Sequence, residues 1–118
     1  MNGYKDLRVW QQSIEFARRC HQLLHDLPPE LRYSLGDQIR RASISIPSNL
    51  AEGFGRHSKN EMKRFARISL GSSYELETQI ILLKSFDVQP SLLENIIQME
   101  PCLQSIIRML VKLIRSLN

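Results

Sequence analysis

Eight apolar residues near the end of the chain, Leu92, Ile96, Met99, Leu103, Ile106, Leu110, Leu113 and Leu117, recur at alternating steps of four and three. A helix gathers such a series onto one side because its 3.6-residue turn lies between the two steps. A strand would scatter the same series over both faces. Pro101 falls inside the stripe, at a point where a helix bends or splits. A second, offset series of Leu93, Ile97, Ile107, Val111 and Ile114 widens the apolar face beyond the ~100° a bundle helix ordinarily buries. Two readings follow. Either this band is an oligomer interface, or it is a broad core face covered by the chain's own helices.

Three more segments carry a helical period. Leu7, Trp10, Ile14, Ala17, His21 and Leu24 mark the first, with Asp6 as its expected N-cap and Pro28-Pro29 as its end. Leu35, Ile39, Ala42, Ile46, Leu50 and Gly53 mark the second. Pro47 removes one of its hydrogen bonds and predicts a kink, while Gly53 and Gly55 offer left-handed stops. The third opens with Ser58 and Glu61 in a capping-box spacing and runs through Met62, Phe65, Ser69, Ser72, Leu76, Gln79 or Ile80, Leu83 and Phe86. Gly71 within it predicts close approach of a neighbouring helix, to offset the ~1 kcal/mol that a mid-helix glycine costs. Breakers leave short loops, so successive helices should run antiparallel. The expected fold is all-α: one domain over residues 1–118, an up-down-up-down four-helix bundle with a kinked second helix. Composition agrees, for 17 Leu and 12 Ile against 3 Val favour helices over strands.

The chain offers little for catalysis. Carboxylate-bridged metal pairs in bundles need Glu-x-x-His, and none of the eight glutamates has a histidine three residues later. His21 and His25 are four apart, but a third metal ligand would have to come from His57 or a cysteine elsewhere in the fold, and a hydrogen-bonded boundary histidine is the commoner role. Cys20 and Cys102 match no zinc or nucleophile signature. Gly53-Phe54-Gly55 lacks the third glycine and preceding strand of a dinucleotide fingerprint. The serines have no Gly-x-Ser-x-Gly or Ser-x-x-Lys context. The expectation is a non-enzyme with no metal and no cofactor. Ile80-Ile81-Leu82-Leu83 is the longest apolar run, far below the ~20 residues a membrane helix needs. With charges throughout the first 25 residues, a cytoplasmic location with no membrane partner is expected.

Charge is the remaining signal. Of the net +4, residues 36–67 contribute all: Arg40, Arg41, Arg56, Lys59, Lys63, Arg64 and Arg67 against Asp37, Glu52 and Glu61. Lys59, Lys63 and Arg67 stand at four-residue steps and share one helix face. Arg40-Arg41 should lie close by if the helices are antiparallel. Such a strip bridges phosphates without reading sequence, which makes these seven residues the candidate nucleic-acid surface. The competing reading is a protein-interaction scaffold whose positive charge has no nucleic-acid ligand.

Three blocks carry a resemblance: Asp6-Leu7-Arg8-Val9-Trp10-Gln11, the stretch from Gln38 to Gly53 (QIRRASISIPSNLAEG), and that from Arg67 to Gln79 (RISLGSSYELETQ). Together they resemble the bacterial four-helix-bundle proteins encoded by intervening sequences of 23S ribosomal RNA genes. A related branch is the accessory variability determinant proteins of diversity-generating retroelements. The resemblance implies a four-helix bundle assembled as a homopentameric ring. For the retroelement branch it also implies a basic surface that binds RNA or DNA and a reverse transcriptase. It supplies no catalytic residues. It further implies that Ser48, Asn49 and Glu52 satisfy backbone groups freed around Pro47.

Overall fold

A computed structural model describes residues 3–118. Tyr4–Asp6 form a 3-10 turn, followed by α1 (Arg8–Leu24), the one-turn α2 (Pro29–Arg32), α3 (Leu35–Gly55), α4 (Lys59–Ser85) and α5 (Pro90–Ser116). The described residues contain no strand, as the aliphatic periodicity requires. The short α2 was not expected. Pro29 stops α1 from continuing and then starts a new helix, at a position where its missing N–H loses nothing.

The four long helices pack in a closed cycle, α1 on α3, α3 on α4, α4 on α5 and α5 on α1. Contacts fix what shares each end. The Tyr4 ring lies 6.3 Å from that of Phe54, and Lys63 donates to the side chain of Asn118. At the far end Leu24 and Leu27 close on Gly36, and Arg32 donates to the Leu27 carbonyl at 3.0 Å. The molecule measures 45 × 23 × 21 Å.

Burial bears out the stripes of α3 and α5. Leu35 through Gly53 of the α3 series are all buried, as are Leu92 through Leu110 of the α5 series, with Leu113 and Leu117 partly covered. The first helix corrects the reading. Its buried residues are Val9, Ser13, Phe16, Cys20, Leu23 and Leu24; of the expected stripe Leu24 is buried and Leu7 and Trp10 are partly covered, but the face is rotated and Ile14 and His21 are exposed. On α4 Ser73 is buried where Ser72 was expected, and Phe86 is exposed.

Caps and glycines differ too. Leu7, not Asp6, is the N-cap of α1, because Asp6 is taken up in the 3-10 turn. Ser58 caps α4 through the Glu61 amide at 3.3 Å, but the Glu61 carboxylate turns to arginines instead of closing the box. No described glycine adopts the left-handed region; α3 runs through Gly55, and His57 takes the left-handed turn with φ 55°. Gly53 serves packing instead. A Cβ there would stand 2.8 Å from the Phe65 Cβ, so only glycine lets α3 and α4 meet this closely. Gly71 has the opposite setting, exposed with nothing within 4 Å of an added Cβ, so no close approach explains it.

Both internal prolines lie within continuous helix. Near Pro47, Asn49 donates to the Ser45 carbonyl at 2.8 Å, and Ser69 of α4 donates to the Ile46 carbonyl at 2.9 Å. The carbonyl that Pro47 leaves without its helical donor is that of Ser43, however, and Asn49 reaches the Ser45 carbonyl instead, so it does not fill the role the resemblance implied. Ser48 is exposed and Glu52 pairs with Arg56.

Candidate nucleic-acid interface

The link between α3 and α4 is three residues long, so the cations on either side of it crowd together. Phe65 is the buried anchor. The Arg56 and Arg64 guanidiniums lie 5.2 and 4.5 Å from its ring centroid, within range of a cation–π attraction. Glu61 holds both, at 2.9 Å to Arg64 Nε and 3.8 Å to Arg56 Nη1, and Glu52 adds a 3.4 Å contact to Arg56. Exposed pairs of this kind add little stability, but they fix where two planar cations stand.

Lys59 and Arg67 have no acidic partner among the described residues and are exposed. Lys63, one turn from each, is half-buried against the end of α5 through Asn118. Five of the seven expected cations thus gather at one end of the bundle. Arg40 and Arg41 do not join them. They precede Arg56 by fifteen residues or more on one helix, about 22 Å along its axis. Arg40 is also paired with Asp37 at 3.1 Å. Proximity of two helices had stood in for proximity of residues.

The fold adds cations that a count along the chain missed. Arg108, Lys112 and Arg115 follow one another at steps of four and three on α5, and line a shallow groove with Ile107 and Val111. Their helix ends beside Lys63, and Lys5 and Arg8 reach the same end because Tyr4 packs on Phe54. With each long helix divided at its midpoint, the half holding the α3–α4 link carries ten basic and four acidic side chains, a formal +6. The other half carries six basic and eight acidic, a formal −2. The bundle is electrically polar along its length. Spacing of residues 108, 112 and 115 was visible in the sequence; their neighbourhood was not.

The remaining expected site residues separate. Ile107 is 8% exposed and belongs to the protomer's own core, Leu93, Val111 and Ile114 are half-buried, and Ile97 is 52% exposed. The offset stripe on α5 is therefore not a uniformly open band.

Chemistry elsewhere is sparse. The His21 and His25 rings meet edge to face at 5.1 Å. The described residues contain no cluster of three or more His, Cys, Asp or Glu placed to hold a metal. Burial pushes the Cys20 thiol up to about 12 and also raises Cys102. Both settings disfavour a nucleophile. Among the described residues no helix is long and apolar enough to cross a membrane. Against individual curated proteins the chain shows no match. One family profile does match, over residues 5–112, and that span covers every long helix in whole or large part. The chain belongs to the 23S rRNA-intervening sequence protein family.

Proposed function

We propose that this protein is a non-enzymatic accessory factor that binds nucleic acid through the basic end of its bundle and works as a homo-oligomer. The observation that carries the reading is the charge polarity, +6 in one half against −2 in the other, built from three separate stretches of chain. Lys59, Lys63, Arg64, Arg67 and Arg56 form one wall, and Arg108, Lys112 and Arg115 extend it onto α5. No base-reading element is part of this proposal, so recognition is of phosphates and independent of sequence. The expected pentameric ring would repeat the basic end five times, and weak single contacts would then add up on a long polyanion. A reverse transcriptase as protein partner belongs to the retroelement resemblance and follows only if that branch applies.

The geometry proposed for this role is an up-down-up-down bundle bent at Pro47. Support comes from residue pairings whose numbers rise on one helix as they fall on the next. Examples are Ser45 with Ser72 and Gly53 with Met62, or Glu77 with Gln104 and Lys63 with Asn118.

Titrating labelled RNA and duplex DNA across a salt series tests the proposal. Log affinity should fall linearly with log salt, with slope about −0.9 per neutralised phosphate on duplex and about −0.7 on single strands. Replacing Lys59, Lys63 and Arg67 by Ala should weaken binding and flatten the slope by up to about three phosphates' worth, leaving the fold intact. Arg40→Ala with Arg41→Ala should change neither. Absence of binding at low salt would leave the scaffold reading in its place.

A further inference from the structure

His21 and His25 do not take the hydrogen-bonded boundary role expected of histidines on an apolar stripe. Both are exposed, one turn apart at the C-terminal end of α1, where His25 is the C-cap. Neither imidazole has a hydrogen-bond partner among the described residues. They touch each other instead, with ring centroids 5.1 Å apart and planes at 85°. Residues four apart on a helix have Cβ atoms about 5–6 Å from one another. From that spacing two imidazoles converge on one ion in zinc-binding helices of the His-x-x-x-His type. The backbone of α1 has already set the separation. Only the side-chain torsions of two solvent-facing rings remain to bring a nitrogen of each to about 2.0–2.1 Å from a common ion.

We propose that His21 and His25 form a two-imidazole chelate for a late first-row divalent metal ion, Cu(II) most tightly and Ni(II) or Zn(II) less so. Imidazole nitrogen suits these ions and follows that order, whereas Mg(II) and Ca(II) prefer oxygen. The electrostatics of this end favour a cation. The half of the bundle that holds the pair carries the formal −2, and Asp26, next to His25, has no ion-pair partner among the described residues. The basic groups nearby are engaged elsewhere. Arg18, one turn before His21, is paired with Glu15, and Arg32 donates to the carbonyls of His25 and Leu27. Arg19 lies round the helix, lining a pocket with Asn95 and Met99 of α5. Two ligands do not make a structural centre, for closed zinc sites take four. Among the described residues no third His, Cys, Asp or Glu is placed to join the pair, so water fills the other positions and the ion exchanges readily. The pair lies at the end away from the α3–α4 link, and the chelate therefore stands or falls apart from the nucleic-acid reading.

Titrating the full chain with Cu(II) alone, by calorimetry and by electron paramagnetic resonance of the loaded protein, tests the chelate. One ion should bind tightly per chain, with two nitrogen donors in its spectrum. His21→Ala and His25→Ala should each weaken binding by about a hundredfold and leave one nitrogen, because the second ligand of a tethered pair acts at high effective concentration. Both substitutions are at exposed positions, and circular dichroism checks that the helices persist. His57→Ala, at the other end of the bundle, should change neither affinity nor spectrum. Wild type should also melt at a higher temperature with Zn(II) present, since the preset spacing exists only in the folded helix, and each single variant should lose that rise. Mg(II) should give no rise. A Cu(II) affinity that neither alanine variant lowers would overturn the chelate, as would a wild-type spectrum with a single nitrogen donor or binding that His57→Ala removes.

Discussion

The inner seam of α3 and α4 and the outer surface of the same two helices are made from the same residue types. Ile46 is fully buried and Ile44, two residues away, is half exposed; Leu83 is fully buried and its neighbour Leu82 is not. Gly53 is wedged against Phe65, and Gly71 faces open space. Ser69 reaches across to the Ile46 carbonyl from complete burial, which gives a hydroxyl the partner that burial demands. Identity does not separate the two regions. What separates them is whether a neighbouring helix stands close enough to make the contact worth its desolvation and ordering.

Truncation in the core should produce the largest contrast. Leu76→Ala and Ile106→Ala, both at fully buried positions, should each destabilise the bundle by roughly 2–5 kcal/mol in chemical unfolding. Midpoints left in place would mean that these side chains do not fill the interior. A smaller loss is expected from Gly53→Ala, about 1–3 kcal/mol, because the new methyl overlaps the Phe65 Cβ and the helices must part. The smallest effect reverses sign. Gly71→Ala adds a methyl to empty space and stiffens the unfolded chain, so it should stabilise by about 0.4–1 kcal/mol. Should the two glycine variants shift stability in the same direction, depth would not be the variable that distinguishes seam from surface.

Legibility followed the same line. The stripes of α3 and α5 were readable because Ile39, Ile46, Leu50, Leu103 and Leu110 are both large and buried. In α1 the large residues Leu7, Trp10 and Ile14 marked the wrong phase. The buried face there contains Ser13 and Cys20, which periodicity underweights; Ser13 is tolerated because its hydroxyl donates to the Trp10 carbonyl at 2.8 Å. Glycine type alone points to left-handed stops at Gly53 and Gly55, whereas His57 makes the turn and Gly53 makes room. At the candidate interface the cations of the α3–α4 link were readable from one helix period. Arg108, Lys112 and Arg115 were not, since only the packing of α5 beside α4 brings them to the same end.

The charge polarity bears on how the molecule would travel as well as on what it would hold. A rod 45 Å long with opposite net charge in its two halves feels a torque in the field of any polyanion. It turns before it touches. At 0.01 M salt the Debye length of about 30 Å is comparable with the rod, so encounters are pre-aligned with the α3–α4 end leading. At 0.15 M the length falls to about 8 Å, and alignment must wait until the two surfaces are nearly in contact. Salt therefore sets the productive fraction of collisions separately from the strength of the contacts, and association rates should fall faster with ionic strength than those of an evenly charged bundle of the same net charge.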